Sequence, residues 1–130
     1  MKLAYESLSR QLHQRFPQLA KQEYTSLVGN IDVDAEPFVL YGVIFNRYLV
    51  ELANGDDNKS KKDVATFLEE MAASSDSHVT FLLTSELLPT LIKDQAMIDA
   101  FWPFLGDLTR HCMSLMPPRF MAKINLPTPN

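Results

Sequence analysis

Apolar residues recur along the chain at helical rather than strand spacing. Tyr5, Leu8, Leu12 and Phe16 mark one face of a first helix, at intervals of three and four residues. Pro17 ends that stripe and suits the first turn of a second helix, where its missing N–H costs nothing. Ala20, Tyr24, Leu27 and Val28 would be the inward face, with Gly29 as C-terminal cap. Residues 30–36 read as a polar, acidic loop. From Phe38 to about Ala53 the chain is apolar on several faces, as expected of a helix in the middle of a bundle. A strand over Phe38–Phe45 is the other reading, and the continuation of the stripe through Leu49 and Leu52 favours helix. Asn54–Asn58 is a turn. Ser60 and Asp63 form a weakened capping box for a helix that carries Val64, Phe67, Leu68, Met71 and Ala72.

Ser74-Ser75-Asp76 breaks that helix and caps the next, whose apolar positions are Val79, Leu82, Leu83, Leu87, Leu91 and Ile92. Pro89 should kink or break it near Ser85, because proline withholds an N–H and crowds the preceding turn. Asp94 would cap a short helix with Met97, Ile98, Phe101 and Trp102. Pro103 would begin a last helix with Leu105, Leu108, Cys112, Leu115 and Met116 inward. Pro117-Pro118 stops it. The sum is an all-α fold of about seven helices in one domain over residues 1–118, with 119–130 as an irregular tail.

The chain has 130 residues and a net charge of −4, within the range of one globular domain. Its longest apolar run falls well short of the ~20 residues of a membrane span. Glu6 and Arg10 interrupt the stretch a signal peptide would keep apolar. These features suggest a cytoplasmic protein without a membrane partner. Cys112 is the one cysteine, so neither an intramolecular disulfide nor a cysteine-based zinc cluster can form.

Charge is uneven. Residues 1–22 carry +3, whereas residues 23–57 carry −6 through Glu23, Asp32, Asp34, Glu36, Glu51, Asp56 and Asp57 against Arg47. An acidic block argues against binding nucleic acid through its phosphates and suits a basic partner. Lys59, Lys61 and Lys62 follow with the opposite sign. Solvated loops that happen to be acidic would give the same pattern.

Residues that could support catalysis do not converge. Asp107 and His111 share a helix face, but one pair is not a metal site, and no doubled ligand motif occurs. Cys112 falls on an apolar stripe, which suits a structural thiol. Glu69 and Glu70 diverge around their helix, His13 and His78 stand apart, and no glycine-rich phosphate loop is present. The residues therefore imply no enzyme, cofactor or metal. The Phe101–Phe104 cluster could be an exposed anchor or part of the core.

Three stretches follow one order: residues 36–45, 61–91 and 101–112. Phe67-Leu68-Glu69, Ser85-Glu86-Leu87-Leu88 and Leu105-Gly106-Asp107-Leu108-Thr109 carry the pattern, and residues 16–24 fit its early helix. Over residues 16–112 the chain resembles a small all-helical family of immunity proteins in contact-dependent and polymorphic toxin systems. The resemblance implies stoichiometric occlusion of a cognate toxin domain, with no shared catalytic residue. Many such toxins are basic nucleases, which makes Asp32, Asp34, Glu36, Asp56 and Asp57 the expected contacts. A helical adaptor or regulator without a toxin partner is the alternative.

Overall fold

A computed structural model describes residues 3–20, 37–117 and 126. All regular elements among these residues are helical, as the spacing predicts. Helix α1 (Leu8–Arg15) follows a 3-10 turn at Tyr5–Ser7, and a second 3-10 turn, Pro17–Ala20, comes after it. The remainder of the expected second helix lies outside the described residues. Helix α2 covers 37–53, α3 is Asn58–Ala72, α4 covers 77–91, α5 is Gln95–Phe101 and α6 is Asp107–Ser114.

Phe67 on α3 lies near the centre of the core. Its ring is 5.7 Å from that of Phe16, 6.0 Å from Phe45 and 6.2 Å from Tyr41. All four are buried, so the aromatic stripes of α1, α2 and α3 meet in one cluster. The Tyr41 hydroxyl donates to the Leu8 carbonyl at 2.7 Å, which satisfies the polar end of an otherwise apolar side chain. Burial holds that hydroxyl in its neutral form, far above the usual tyrosine range. At the edge of the cluster, Arg15 lies 5.0 Å from the Phe67 ring and pairs with Glu70 through both terminal nitrogens. Leu126, in the stretch expected to be an irregular tail, is half-buried against the core.

Helices α2 and α4 each contain a π-turn, at Leu40–Phe45 and Leu83–Leu87. Pro89 therefore does not break α4. The N–H of Leu88 donates to the carbonyl of Leu83, five residues back, and the helix resumes over Leu88–Leu91. The widened turn removes the clash that proline creates in a regular helix. The two π-turns face each other. Asn46 donates through Nδ2 to the carbonyls of Gly42 (3.0 Å) and Glu86 (2.8 Å), tying both turns together. A side chain at residue 42 would stand 3.1 Å from the Glu86 carboxylate, which explains glycine within an otherwise bulky stretch.

Several helix ends differ from the predicted ones. Helix α3 starts one turn before the expected capping box: Asp57 is its cap and accepts from the Ser60 N–H and hydroxyl. Lys61 is buried, and its ammonium donates to the Gly55 carbonyl at 2.9 Å. It belongs to the loop's support, unlike the exposed Lys59 and Lys62. Pro103 does not open the last helix but sits in a 3-10 turn, Trp102–Phe104, with Gly106 preceding α6. The expected caps Asp76 and Asp94 do accept N–H bonds, from His78 and Met97. Asp76 also accepts from the Tyr5 N–H, and Ser74 donates to the Leu3 carbonyl. The Ser-Ser-Asp turn thus fastens the N-terminal segment as well as starting α4.

Candidate partner-binding surface

Helix α6 is positioned by one carboxylate. Glu69, near the end of α3, accepts from the N–H groups of Leu108 (3.0 Å) and Thr109 (2.9 Å) and from the Thr109 hydroxyl (2.8 Å). Burial disfavours its charge, but these three donors outweigh that and hold the carboxyl below the usual glutamate range. The approach needs Gly106: a Cβ there would lie 2.4 Å from the Glu69 carboxyl carbon.

This clamp fixes the rotation of α6. Thr109 and Met113 face inward and are fully buried, in line with Leu105. Leu108 and Leu115, both expected inward, are instead 45% and 70% exposed. Leu115, Met116 and Cys112 consequently meet the outer face of α4. There Phe81, 60% exposed, and Pro89 complete an open apolar groove of about 450 Å³. Thr84, Ser85 and Pro117 complete the lining, which contains no Lys, Arg, Asp or Glu. An aromatic strip leads into it, with Phe81 6.0 Å from Phe38, Phe38 6.1 Å from Tyr5, and Tyr5 5.6 Å from His78.

Burial and nearby Glu69 push the Cys112 thiol up, away from the reactive thiolate. Among the described residues no group of three or more His, Cys, Asp or Glu could hold a metal ion. None of the helices there is long and apolar enough to cross a membrane. Trp102 and Phe104 are half-buried and Phe101 fully buried, so that cluster serves mainly as core. The Arg110 guanidinium covers Trp102 at 4.8 Å.

Asp32, Asp34 and Glu36 lie outside the described residues. Asp56 and Asp57 are exposed in the turn before α3. Asp57 is engaged with Ser60, which lowers its pKa through the Ser60 hydroxyl and N–H. The pair stands about 18 Å along α3 from Glu69, at a rise of ~1.5 Å per residue. Sequence reasoning passed over the groove because Phe81 lies off the inward stripe of α4 and Leu115 looks inward by spacing alone.

Acid stability follows from the capping carboxylates. Glu69, Asp57 and Asp76 all titrate below their ordinary values; for Asp76 the largest cause is the bond from the Tyr5 N–H, followed by that from His78. Their contribution is complete above the unfolded pKa values, about 3.9–4.3, and is lost as pH falls through the lower folded values. The thermal midpoint should therefore drop below about pH 4, and Glu69→Gln should flatten part of that drop. A pH-independent midpoint between pH 5 and pH 2 would contradict the assignment.

The model of a domain family described as a domain of unknown function, DUF7674, matches residues 9–118. No curated protein and no solved structure matches the chain.

Proposed function

We propose that this chain, which belongs to the DUF7674 family, acts by binding another protein and is an immunity protein that neutralises a cognate toxin domain by stoichiometric occlusion. The observation that carries the binding reading is the groove between α4 and α6, where Phe81 and Leu115 stand exposed beside an uncharged, apolar lining. Large apolar side chains clustered at the surface and rimmed by polar residues mark interaction sites. Aromatic anchors of this kind carry a disproportionate share of interface energy. The toxin as partner rests on the resemblance of Phe67-Leu68-Glu69 and Leu105–Thr109 to immunity proteins. No cofactor or metal enters this reading, and the partner is a protein rather than nucleic acid or membrane.

Two surfaces divide the work. The groove supplies the buried contact. The acidic residues Asp32, Asp34, Glu36, Asp56 and Asp57 steer a basic toxin domain and raise the association rate. Asp57 does so only in part, since its carboxylate is occupied by Ser60.

The reading predicts that a toxin domain is encoded beside this chain, and it is tested by co-expression with that domain. Wild type should restore growth, and the double variant Phe81→Ser, Leu115→Ser should fail to restore it while remaining folded. Growth arrest that wild type leaves unrelieved, with both proteins present, contradicts the toxin reading.

A further inference from the structure

The turn between α2 and α3 holds Asn54-Gly55, the one Asn-Gly pair in the chain. The Gly55 amide nitrogen can close an imide ring on the side-chain carbonyl carbon of Asn54, and glycine has no Cβ to hinder the closure. Both residues are exposed, so water and hydroxide reach them. The fold does not require glycine at this position. A Cβ there would meet only the Glu51 and Leu52 carbonyls, at 3.7 and 4.0 Å, and its φ lies outside the left-handed region.

The native turn holds the reacting groups apart. Asn54 caps α2 with φ −89° and ψ 2°, which carries the Gly55 nitrogen along the helical course and away from the Asn54 side chain. The Gly55 N–H donates to the Leu52 carbonyl at 3.1 Å. Asn54 Nδ2 donates to the Val50 carbonyl at 3.0 Å. The buried Lys61 ammonium donates to the Gly55 carbonyl at 2.9 Å. Of these contacts only that of Lys61 comes from another helix, so α3 holds the peptide that ring closure must rotate.

We propose that Asn54 is a deamidation site kept closed by the native turn, with Lys61 as its lock. When the turn opens, hydroxide takes the Gly55 amide proton and the nitrogen bonds to Asn54 Cγ. The Cγ–Nδ2 bond breaks, and Nδ2 leaves as ammonia with a proton from water. A second water molecule opens the imide at either carbonyl, which leaves aspartate or isoaspartate where a neutral amide stood. Neither the groove nor a toxin takes part in this chemistry. The new charge lies at the C-terminal end of α2, where the helix carbonyls repel an anion, and close to Asp56 and Asp57 in the chain. The modified side chain also lacks the Nδ2 donor to Val50.

The test follows deamidation of the full-length protein at mildly alkaline pH, by mass spectrometry of the peptide that contains Asn54. Native protein should deamidate there at least about tenfold more slowly than protein unfolded in urea. Gly55→Ala should strongly slow the reaction in urea. Lys61→Met keeps the apolar stem and should speed the native reaction at least about threefold, the effect of one lost hydrogen bond from a charged donor. Low urea concentrations distinguish turn opening from global unfolding without relying on that variant to fold. Opening a turn exposes little surface, so the wild-type native rate should stay nearly flat. Equal rates in native buffer and in urea, an unchanged native rate in folded Lys61→Met, or a wild-type rate that climbs with urea as global unfolding does would each overturn the proposal.

Discussion

Phe67→Ala should destabilise the protein by about 3–5 kcal/mol, the cost of deleting a fully buried aromatic ring. Phe67 has no exposed surface and contacts the ring of Phe16 from the N-terminal segment and those of Tyr41 and Phe45 from α2. Those rings are held by their own helices, so the space cannot close by moving one neighbour. Arg15 would also lose the ring beneath its guanidinium. Leu82→Ala, in the buried face of α4, should cost somewhat less, about 2–4 kcal/mol. Chemical denaturation checks both values. A loss below about 1 kcal/mol for Phe67→Ala would mean that the core can collapse around the cavity, contrary to the packing described.

The second large effect concerns Glu69 and Gly106. Glu69→Ala should cost about 2–3 kcal/mol, because it removes a charged acceptor and strands two N–H groups at the start of α6. Gly106→Ala should cost a similar amount for a different reason. Its backbone at φ −79° and ψ 171° is open to any residue. The obstacle is the Glu69 side chain, which a Cβ would displace from its hydrogen bonds. Both substitutions thus remove the same interaction, and the double variant should lose at least about 1 kcal/mol less than the two singles added together. Additive losses would show that Gly106 acts independently of Glu69.

The same pair shows how far the sequence could be read. Phe67-Leu68-Glu69 and Leu105–Thr109 stand out as separate motifs, but nothing in their spacing joins residues 69 and 109. That junction sets the rotation of α6 and therefore decides that Thr109 and Met113 are buried while Leu108 and Leu115 are not. Periodicity places Leu115 inward because it treats a helix as free to choose its most apolar face. The all-α class, the core positions of α3 and the caps Asp76 and Asp94 were legible, since each depends on residues within one or two turns. The π-turns were not. A single extra residue in a turn barely disturbs an apolar stripe, and the fate of Pro89 depends on the neighbouring α2. The groove was hidden for both reasons together.

The charge pattern was legible in outline and misleading in one detail. Lys61 looks like a member of a basic surface cluster with Lys59 and Lys62, but its buried ammonium supports the Gly55 carbonyl. A charge reversal meant to probe steering should therefore be confined to Lys59 and Lys62, which are exposed.

The most direct measurement is the affinity and association rate of purified cognate toxin domain for three forms of the protein. These are wild type, Phe81→Ser with Leu115→Ser, and Asp32→Asn with Asp34→Asn and Glu36→Asn. The groove variant should bind at least about 100-fold more weakly, through faster dissociation, as expected for the loss of central apolar anchors. The acidic variant should retain most of its affinity at high salt and lose association rate at low salt, where charges act over ~10 Å or more. A groove variant that binds the toxin domain as tightly as wild type would contradict the account.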